Sequence, residues 1–326
     1  MPSLPTAGDV HVNRPLTNIA IAFKQEERNF VAGRVFPTVP VAKQSDAYYV
    51  WDRADFHRDE AAEVGPGGAA PIGGLRLSTD SYNAKVYKFA HLISDQERAN
   101  QDESIDLDRT KTEDVVRKLL IRQERDWATK YFTTGKWTGS TTGTDLVGGV
   151  DFTVWSNYAG SDPVSYIRGQ VFHMAKLGVS PKNMKLTLGA EVFQQLLDHP
   201  KFIERFEQVQ ASILNESLMA SVLGIGEVVV PMSVHNSATE GLAATMAYIH
   251  GKSALLTYSP PAAGLDVPSA GYTFAWAGLT GAQGTGLRIK RFRRDVLDSD
   301  QIQGESAWDH KVVSSVLGVF FSAAVA

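Results

Sequence analysis

The segment between residues 41 and 94 constrains the fold most, because two strand-like stretches flank an insertion that cannot form regular structure. The first, VAKQSDAYYVWD, alternates polar and apolar residues and is rich in tyrosine and valine, which favours a β-strand. Its predicted partner is LRLSTDSYNAKVYKFAHLIS, residues 75–94. Between them, DRADFHRDEAAEVGPGGAAPIGG (residues 52–74) is dense in charge and then in glycine, proline and alanine. The pattern predicts a long β-hairpin with an irregular tip.

This hairpin is longer than one small domain needs. A strand from Ser45 to Phe56 spans about 40 Å at roughly 3.3 Å per residue, and an isolated two-stranded ribbon is marginally stable at best. Residues 1–40 contain five prolines and little sustained periodicity, so this arm is not expected to fold alone. We therefore expect ribbon and arm to pack on other molecules.

Composition excludes several classes of protein. The 326 residues are 43% hydrophobic and 21% charged, which is typical of soluble globular domains, and allows one large domain or two ordinary ones. A net charge of −4 creates no long-range field for nucleic acid or anionic membrane. The absence of cysteine excludes disulfides, thiolate nucleophiles and cysteine-ligated metals. With no secretory signal and no apolar run of membrane-spanning length, an intracellular soluble product is expected.

The strongest helix signal begins at Thr110, where Thr110-Lys111-Thr112-Glu113 has the spacing of a capping box. With Gly135 as its stop, the helix covers about 24 residues, or roughly 36 Å. One stripe holds its apolar residues: Val116, Leu120, Trp127 and Tyr131. A solvated or subunit-facing side is predicted for its charged residues: Lys118, Arg122, Glu124 and Arg125.

A second helix is predicted from Asp162 as N-cap and Pro163 at the first helical position, and it ends at Gly178. A short strand KLTLG and a helix AEVFQQLLDHP, terminated by Pro200, follow. From Glu227 onward strands dominate: EVVVPMSV, ATMAYIH, ALLTYSP, GYTFAWAG, GLRIKRFRRDVL and WDHKVVSSVLGVFFSAA. The glycine-rich segment at 278–287 is predicted to be a loop between strands. The fold class is α+β with a mixed or antiparallel sheet.

No motif of a known catalytic chemistry is complete. Gly251-Lys252-Ser253 matches the end of a phosphate-binding loop, but Met246 occupies the place of its leading glycine and ALLTY indicates a strand where a helix belongs. An ordinary hairpin turn is favoured. The eight histidines lack metal-ligand spacing, and no G-x-S-x-G elbow occurs. We therefore expect no catalytic residue, cofactor or metal.

The charged tip admits two interpretations. Asp52, Asp55, Asp59 and Glu60 could hold a divalent cation or act as an acid–base pair. Because Arg53, His57 and Arg58 are interleaved with these carboxylates, salt bridges to a neighbouring subunit are favoured. The basic run Lys290, Arg291, Arg293 and Arg294 splits between two strand faces and is followed by aspartates, so an interface or solvated edge is favoured over nucleic-acid binding.

In combination, several stretches resemble the major capsid protein of tailed bacteriophages, with the Hong Kong 97 fold. These stretches are ERNFVAGRVFPTVPVAKQSDAYYVWDRADFHRDEAAEVGPGG, the helix ending WATKYF, HPKFIERF, GKSALLTYSPP and GLRIKRFRRDVLDSDQIQGESAWDHKVV. The resemblance covers nearly the whole chain. It implies an α+β fold of the Hong Kong 97 type with an N-terminal arm, an extended β-hairpin loop, a long spine helix in a peripheral domain, and a mixed-sheet axial domain.

The resemblance also implies boundaries for these parts. The arm is expected at 1–43, the extended loop at 44–94, the peripheral domain at 95–180 and 286–326 with its spine helix about 110–134, and the axial domain at 181–285. The quoted tip then becomes the end of the extended loop. Its expected inter-subunit contacts are Trp51, Arg53, Asp55, His57, Arg58, Asp59 and Glu60.

The implied function is that of a non-enzymatic structural subunit of an icosahedral phage head, which assembles as pentamers and hexamers around double-stranded DNA. The implied partners are further copies of the chain, a separate scaffolding protein if any, a portal and a decoration protein, with only non-specific contact to DNA and no membrane. The expected location is the virion, after assembly in the host cytoplasm. The alternatives are a phage tail-tube or connector ring protein and a nucleotide-binding α/β enzyme.

Two features depart from some relatives in this family. Lysine is absent between Lys43 and Lys85, so an isopeptide crosslink from the loop tip is not expected. The chain also lacks room for a fused scaffolding segment of the size that some relatives carry before the arm, which is why a separate scaffolding protein, or none, is predicted.

Overall fold

The computed structural model of the chain describes residues 29–51, 55, 57–100, 106–206, 215–264, 267–280 and 287–326. The strands are β1 (Thr38–Val41), β2 (Ser45–Trp51), β3 (Leu77–Asn83), β4 (Lys85–Ser94), β5 (Leu146–Val147), β6 (Met184–Leu188), β7 (Glu227–Val229), β8 (Val234–Asn236), β9 (Met246–Tyr248), β10 (Ala254–Tyr258), β11 (Gly271–Trp276), β12 (Leu287–Arg294), β13 (Ser299–Val312) and β14 (Gly318–Ser322). The helices are α1 (Asp95–Ala99), α2 (Leu107–Tyr131), α3 (Pro163–Ala175), α4 (Ala190–Leu197), α5 (Pro200–Phe206), α6 (Glu216–Leu223) and α7 (Ala277–Thr280).

Two mixed sheets organise these elements within the described ranges. The first has the order β1-β11-β13-β12, with β4 also paired to β13, and its β1–β11 pair is parallel. The second has the order β5-β14-β10-β6-β7, with parallel pairs at both ends. Two ribbons, β2–β3 and β8–β9, stand apart from the sheets. The α+β class with mixed sheets, predicted from the sequence, is confirmed.

Helix α2 begins a turn earlier than the sequence predicted. The Asp106 carboxylate caps it by accepting a hydrogen bond from the Arg109 amide at 3.0 Å. Thr110 lies inside the first turn, where its hydroxyl donates to the Asp106 carbonyl, so the predicted capping box is wrong. The helix ends at Tyr131, before Gly135. Its 25 residues extend roughly 37 Å at 1.5 Å per residue.

The apolar stripe of α2 is buried as predicted, and it joins two cores. Val116 and Leu120 pack with Ile302 against the first sheet, whereas Trp127 and Tyr131 belong to the larger core around the second sheet. The prediction for Glu124 is wrong, because its side chain is fully buried. Its position, four residues after Leu120 and three before Trp127, puts it on the apolar stripe itself.

The long hairpin strands are shorter than predicted. The first strand ends at Trp51 and not at Phe56. The second divides at the buried Ala84 into β3, which pairs with β2, and β4, which pairs with β13. The ribbon is therefore seven residues long on each side, and the rest of the predicted partner strand belongs to the first sheet of its own chain.

Other elements follow the predicted order with shifted boundaries. Helix α3 has the predicted cap, since Asp162 accepts from the Ser165 amide, and Gly178 beyond its end has a left-handed φ of 84°. Pro200 starts α5 in place of ending the helical region. EVVVPMSV forms two strands, β7 and β8. The segment predicted as the last strand also forms parts of two strands, β13 and β14, which a 3-10 turn separates. The segment at 278–287 begins as α7, and 281–286 lie outside the described residues.

Part of the predicted N-terminal arm packs on its own chain. Val31, Ala32, Val35 and Phe36 are buried in the larger core, and β1 adds a parallel strand to β11. The dependence on other molecules that was predicted for the arm therefore does not hold for residues 31–41. Residues 1–28 of the arm lie outside the described residues.

Candidate inter-subunit surface

The β2–β3 ribbon is fixed at its root by aromatic packing on the first sheet. The ring centroids of Tyr82 and Phe274 lie 4.6 Å apart in a stacked geometry, and Tyr48 lies 5.3 Å from the same Phe274 ring. The Asn83 amide donates to the Asp309 carboxylate at 2.9 Å. These contacts set the point at which the ribbon leaves the sheet.

Asp55 closes the base of the loop that follows β2. Its carboxylate accepts hydrogen bonds from the amide and guanidinium of Arg76 at 2.9 and 3.0 Å, and it lies 3.3 Å from the Arg58 guanidinium. These contacts, with the Arg76 side-chain hydrogen bonds foremost, lower the pKa of Asp55 to about 2. The carboxylate therefore stays ionised at neutral pH, and it ties the two ends of the loop together.

Beyond this closure the loop is exposed from Arg58 to Arg76. A turn bond joins the Gly68 amide to the Gly65 carbonyl at 3.0 Å. Ile72 is 98% exposed, and Val64 and Leu75 are also exposed. Exposed aliphatic side chains on a projecting loop are typical of a surface that binds another molecule.

The seven predicted contact residues fall into four groups. The Trp51 side chain and Arg53 lie outside the described residues. Asp55 and Arg58 are engaged within their own chain, and Arg58 also pairs with Glu60 at 3.1 Å. His57 lies against the backbone of Gly178, just beyond α3. Asp59 and Glu60 are exposed at the loop surface. The inter-subunit role of all seven stays a prediction.

A second candidate surface lies on the first sheet and was missed in the sequence. Ile93, Ile289 and Ile302 face α2. Lys88, Glu305 and Arg288 form one row across β4, β13 and β12, and strand alternation places this row on the opposite face. Lys290 and Arg294 extend the same face along β12. We call Lys88, Arg288, Lys290, Arg294 and Glu305 the cationic face.

Three of the four cations of the cationic face surround its one carboxylate. The Lys290 and Lys88 ammonium groups lie 2.7 and 3.4 Å from the fully buried Glu305 carboxylate, which Arg288 also contacts. Burial alone would raise the pKa of Glu305, but hydrogen bonds from Lys290 and Arg288 outweigh it and lower the pKa. Lys88 is 53% exposed and Leu92, four residues further along β4 on the same face, is 45% exposed, so the described part of the chain leaves this face open.

The basic run noticed in the sequence is divided between the two faces of the sheet, as strand alternation predicted. Arg291 and Arg293 lie on the α2 side, where they pair with Asp108, Asp300 and Asp95. The other two, Lys290 and Arg294, belong to the cationic face. Lys88 joins them only through the β4–β13 register, which no local pattern encodes.

The turn favoured from the sequence at Gly251-Lys252-Ser253 is confirmed, and the alternative of a phosphate-binding loop is not. Gly251-Lys252-Ser253 is a turn between β9 and β10, with no helix after it. The Lys252 ammonium donates to the Ala326 carbonyl at 2.8 Å, and the Lys252 carbonyl accepts from the Ala324 amide. The lysine therefore fixes the C-terminal segment.

A buried serine–histidine pair, Ser161 and His199, resembles a nucleophile and its base, but the hydrogen bond between them runs in the opposite direction. The Lys201 amide donates to His199 Nδ1 at 3.1 Å, so the ring proton is on Nε2, which lies 2.9 Å from Ser161 Oγ. The Ser161 hydroxyl donates to the Asn157 carbonyl at 2.7 Å. The histidine thus donates to the serine and cannot accept its proton.

Metal and membrane sites do not emerge from the described ranges. They contain no cluster of three or more histidine, aspartate or glutamate side chains that could hold a metal ion. None of the helices in these ranges combines the length and apolar character that a bilayer crossing requires.

No protein-family model matches the chain, and no curated protein matches its sequence. Solved structures do share its fold. A phage-related protein from Bordetella bronchiseptica RB50 is 18% identical, with a TM-score of 0.70 over 97% of this chain and 98% of that one. The capsid of cyanophage P-SCSP1u is 12% identical, with a TM-score of 0.62 over 99% and 93%. The mature capsid of bacteriophage PhiM1 is 10% identical, with a TM-score of 0.54 over 88% and 84%.

These similarities extend over most of both chains in each comparison. The chain therefore has the fold of phage capsid proteins of the Hong Kong 97 type, and the resemblance noted in its sequence is confirmed at the level of the fold.

Proposed function

We propose that this chain is a structural subunit of an icosahedral phage head, which assembles as pentamers and hexamers into the shell around double-stranded DNA. One observation carries the proposal: on a capsid-protein fold, the loop from Arg58 to Leu75 is exposed, with Ile72 98% accessible. Burying that side chain against a neighbouring copy contributes about 1.5–3 kcal/mol. The chain is non-enzymatic in this proposal, and it acts through association.

The loop and the cationic face are complementary in charge. Between Arg58 and Glu63 the loop carries one cation and three carboxylates, Asp59, Glu60 and Glu63, a net charge of −2. The cationic face carries four cations and Glu305, a net charge of +3. In our proposal the loop of one copy lies on the cationic face of the next. Each contact is weak, but several contacts per subunit act together at high effective concentration.

Electron microscopy of the purified full-length chain tests the function directly. We expect closed, curved particles. Rings or tubes would favour the alternative, a tail-tube or connector protein. A chain that stays monomeric at all concentrations would contradict both. Equilibrium binding of ATP at millimolar concentration tests the remaining alternative, a nucleotide-binding enzyme, for which we expect no binding.

Charge reversal tests the contact between loop and face. Asp59→Lys or Lys88→Glu should lower particle yield about fivefold or more, because repulsion of about 1 kcal/mol per contact replaces attraction. Combined in one chain, the two changes should restore yield. Sedimentation and electron microscopy measure the particles, and circular dichroism checks the fold.

The control is Glu204→Lys, a change at an exposed carboxylate on α5, which should leave the particle yield unchanged. Full particle yield in both single variants would contradict an electrostatic role of the contact between loop and face.

The proposal assigns the parts of the chain as the sequence predicted. Residues 1–43 form the arm, 44–94 the extended loop, 95–180 with 286–326 the peripheral domain, and 181–285 the axial domain. The chain is a virion component assembled in the host cytoplasm. It works with a portal, a decoration protein and either a separate scaffolding protein or none, and it contacts DNA non-specifically. Without a lysine between Lys43 and Lys85, the loop tip forms no isopeptide crosslink.

A further inference from the structure

A carboxylate in the middle of α2 holds the segment that connects the N-terminal arm to the folded chain. Glu124 is fully buried. Its carboxylate accepts the Val31 amide at 3.0 and 3.2 Å and the Ala32 amide at 2.9 Å. The two amides are more than 90 residues away in sequence. Glu124 therefore holds the chain at Val31 and Ala32, close to residue 29, where the described residues begin.

The residues after Ala32 are bound in turn. The Lys185 ammonium donates to the Arg34 carbonyl, and the Ser259 hydroxyl donates to the Val35 carbonyl, each at 2.6 Å. The Arg34 guanidinium pairs with Glu227. We call residues 31–36 the arm root. Glu124 is the contact at its N-terminal end, nearest to the arm itself.

Glu124 has no cationic partner among the described residues. The ionisable side chain in contact with it is His250, whose Nε2 lies 3.4 Å from Glu124 Oε1. Burial lowers the pKa of His250 to about 3, so this ring is neutral at physiological pH. Both ring nitrogens of His250 are buried without a hydrogen-bond partner. Trp127 and Phe132 pack against the ring and supply no charge.

Protonation of Glu124 provides a hydrogen-bond partner for one of these two ring nitrogens. A protonated Oε1 can donate to His250 Nε2, which then gains its missing partner, while Oε2 continues to accept the Val31 and Ala32 amides. The ionised form keeps the two amide bonds but buries a charge that no cation compensates. Burial accordingly raises the pKa of Glu124 to about 7, although the hydrogen bonds from the Ala32 and Val31 amides oppose the shift.

We propose that Glu124 is the positioning residue of the N-terminal arm, and that it grips the arm root as a neutral acid bonded to His250 and loosens it when ionised. The change has a defined direction. A carboxyl that is protonated in the closed root and ionised when exposed favours closure below about pH 4.5, and this advantage is lost as pH rises to about 7. The root is tighter in acid and looser at neutral and alkaline pH.

The other charged groups near the root do not reproduce this response. Arg34 of the root and Lys185 of β6 both pair with Glu227 of β7. On α2, the next carboxylate toward the C-terminus, Asp126, accepts from the Trp308 indole. On β13, His310 is also buried, which lowers its pKa to about 4. Ser233 contributes a neutral hydroxyl.

Hydrogen–deuterium exchange of residues 29–36 in the unassembled full-length chain tests the proposal. After correction for the intrinsic exchange rate, the ratio of the wild-type opening constant to that of Glu124→Gln should rise up to about tenfold per pH unit between about pH 4.5 and 7, and then level off. Glu124→Gln is the reference because its amide stays neutral, donates to His250 and accepts from Val31 and Ala32, and because the ratio cancels the proton that His250 takes up in acid once it is exposed. A ratio that does not change with pH would overturn the proposal.

Two further variants keep the test decisive. Glu113→Gln, on the same helix and half-buried beside Arg109, is the matched control and should retain the wild-type slope. His250→Phe preserves the aromatic packing but removes the acceptor for the Glu124 proton, so in this background the ratio of opening constants between the Glu124 chain and its Glu124→Gln counterpart should rise over a narrower pH range. A rise of the same extent with and without His250 would show a purely structural role for the histidine and contradict the proposal.

The assignment of the root to an inter-subunit arm rests on the proposed function. The exchange measurement does not depend on that function. A chain that never assembled but showed the predicted slope would sustain the role of Glu124 and contradict the shell. A chain that assembled but showed no slope would support the shell and contradict the role of Glu124.

Discussion

Glu124 and Glu305 are both fully buried, and their surroundings shift their pKa values in opposite directions. Glu305 is ringed by Arg288, Lys290 and Lys88, which favour its ionised form and outweigh burial. Glu124 has backbone amides and a neutral histidine around it, so burial dominates. Burial alone thus does not decide the charge of a carboxylate, and the neighbouring cations do.

Replacing Glu305 with glutamine should lower the free energy of unfolding by about 1–3 kcal/mol, because three cations lose their shared counter-charge. Urea denaturation followed by circular dichroism measures this difference. A carboxylate with a lowered pKa stabilises the fold above its ordinary value of 4.5 and loses that effect as pH falls. The gap between wild type and variant should therefore shrink in acid, and a gap that is constant with pH would contradict this role.

Gly304 on β13 shows how closely α2 approaches the first sheet. A Cβ atom there would lie 2.5 Å from Val115 Cγ1 and 2.9 Å from Leu119 Cδ1. Gly304→Ala should therefore destabilise the chain by about 1–3 kcal/mol. The matched control is Gly169→Ala in α3, where the added methyl meets open space, and it should be neutral or stabilising by up to about 1 kcal/mol. Thermal unfolding compares the two, and equal effects would contradict the close packing.

Elements whose signals are local were predictable from the sequence. Asp162, Pro163 and Gly178 specify the start and end of α3 through contacts within a few residues of the chain. The start of α2 was placed a turn late because Asp106 and the Thr110 motif both offer a cap, and the earlier one forms. The buried stripe of α2 was visible, but the polar Glu124 within it was not, because its partners come from Val31 and Ala32.

Elements that depend on distant pairing were not predictable. The strand predicted at residues 75–94 changes partner at Ala84, and only the presence of β13 beside β4 makes that division. The cationic face has the same origin, since Lys88 and Arg288 meet Glu305 through the register of three strands. The exposed loop was visible in its glycine-rich composition, whereas its closure by Asp55 and Arg76 was not.

The exposed loop should be separable from the fold of the subunit. Replacing residues 60–73 by a short Gly-Ser linker leaves the ribbon, the Asp55–Arg76 closure and the aromatic root in place. The midpoint of thermal unfolding should therefore change little, while particle formation is lost. Calorimetry and electron microscopy measure the two properties, and a large fall in the unfolding midpoint would show that the loop stabilises its own subunit.

In the described part of the chain, α2 packs on one core at each of the two sheets, while the loop and the cationic face stay open. Their opposite charges and exposed aliphatic residues, Ile72 on the loop and Leu92 beside the face, suit a contact between copies. This asymmetry between a closed core and open appendages is the physical basis of the proposed shell. A subunit built in this way gains stability from its neighbours through many weak contacts.

The absence of cysteine allows a direct test of this contact. Chains carrying only Ala61→Cys on the loop are mixed with chains carrying only Ala90→Cys beside the cationic face, and a flexible bis-maleimide is added under assembly conditions. We expect a covalent product of two chains, one of each variant, whose linked peptides mass spectrometry identifies as the loop and β4. Assembled particles that yield no such product, or a doubly substituted chain that links only to itself, would contradict it.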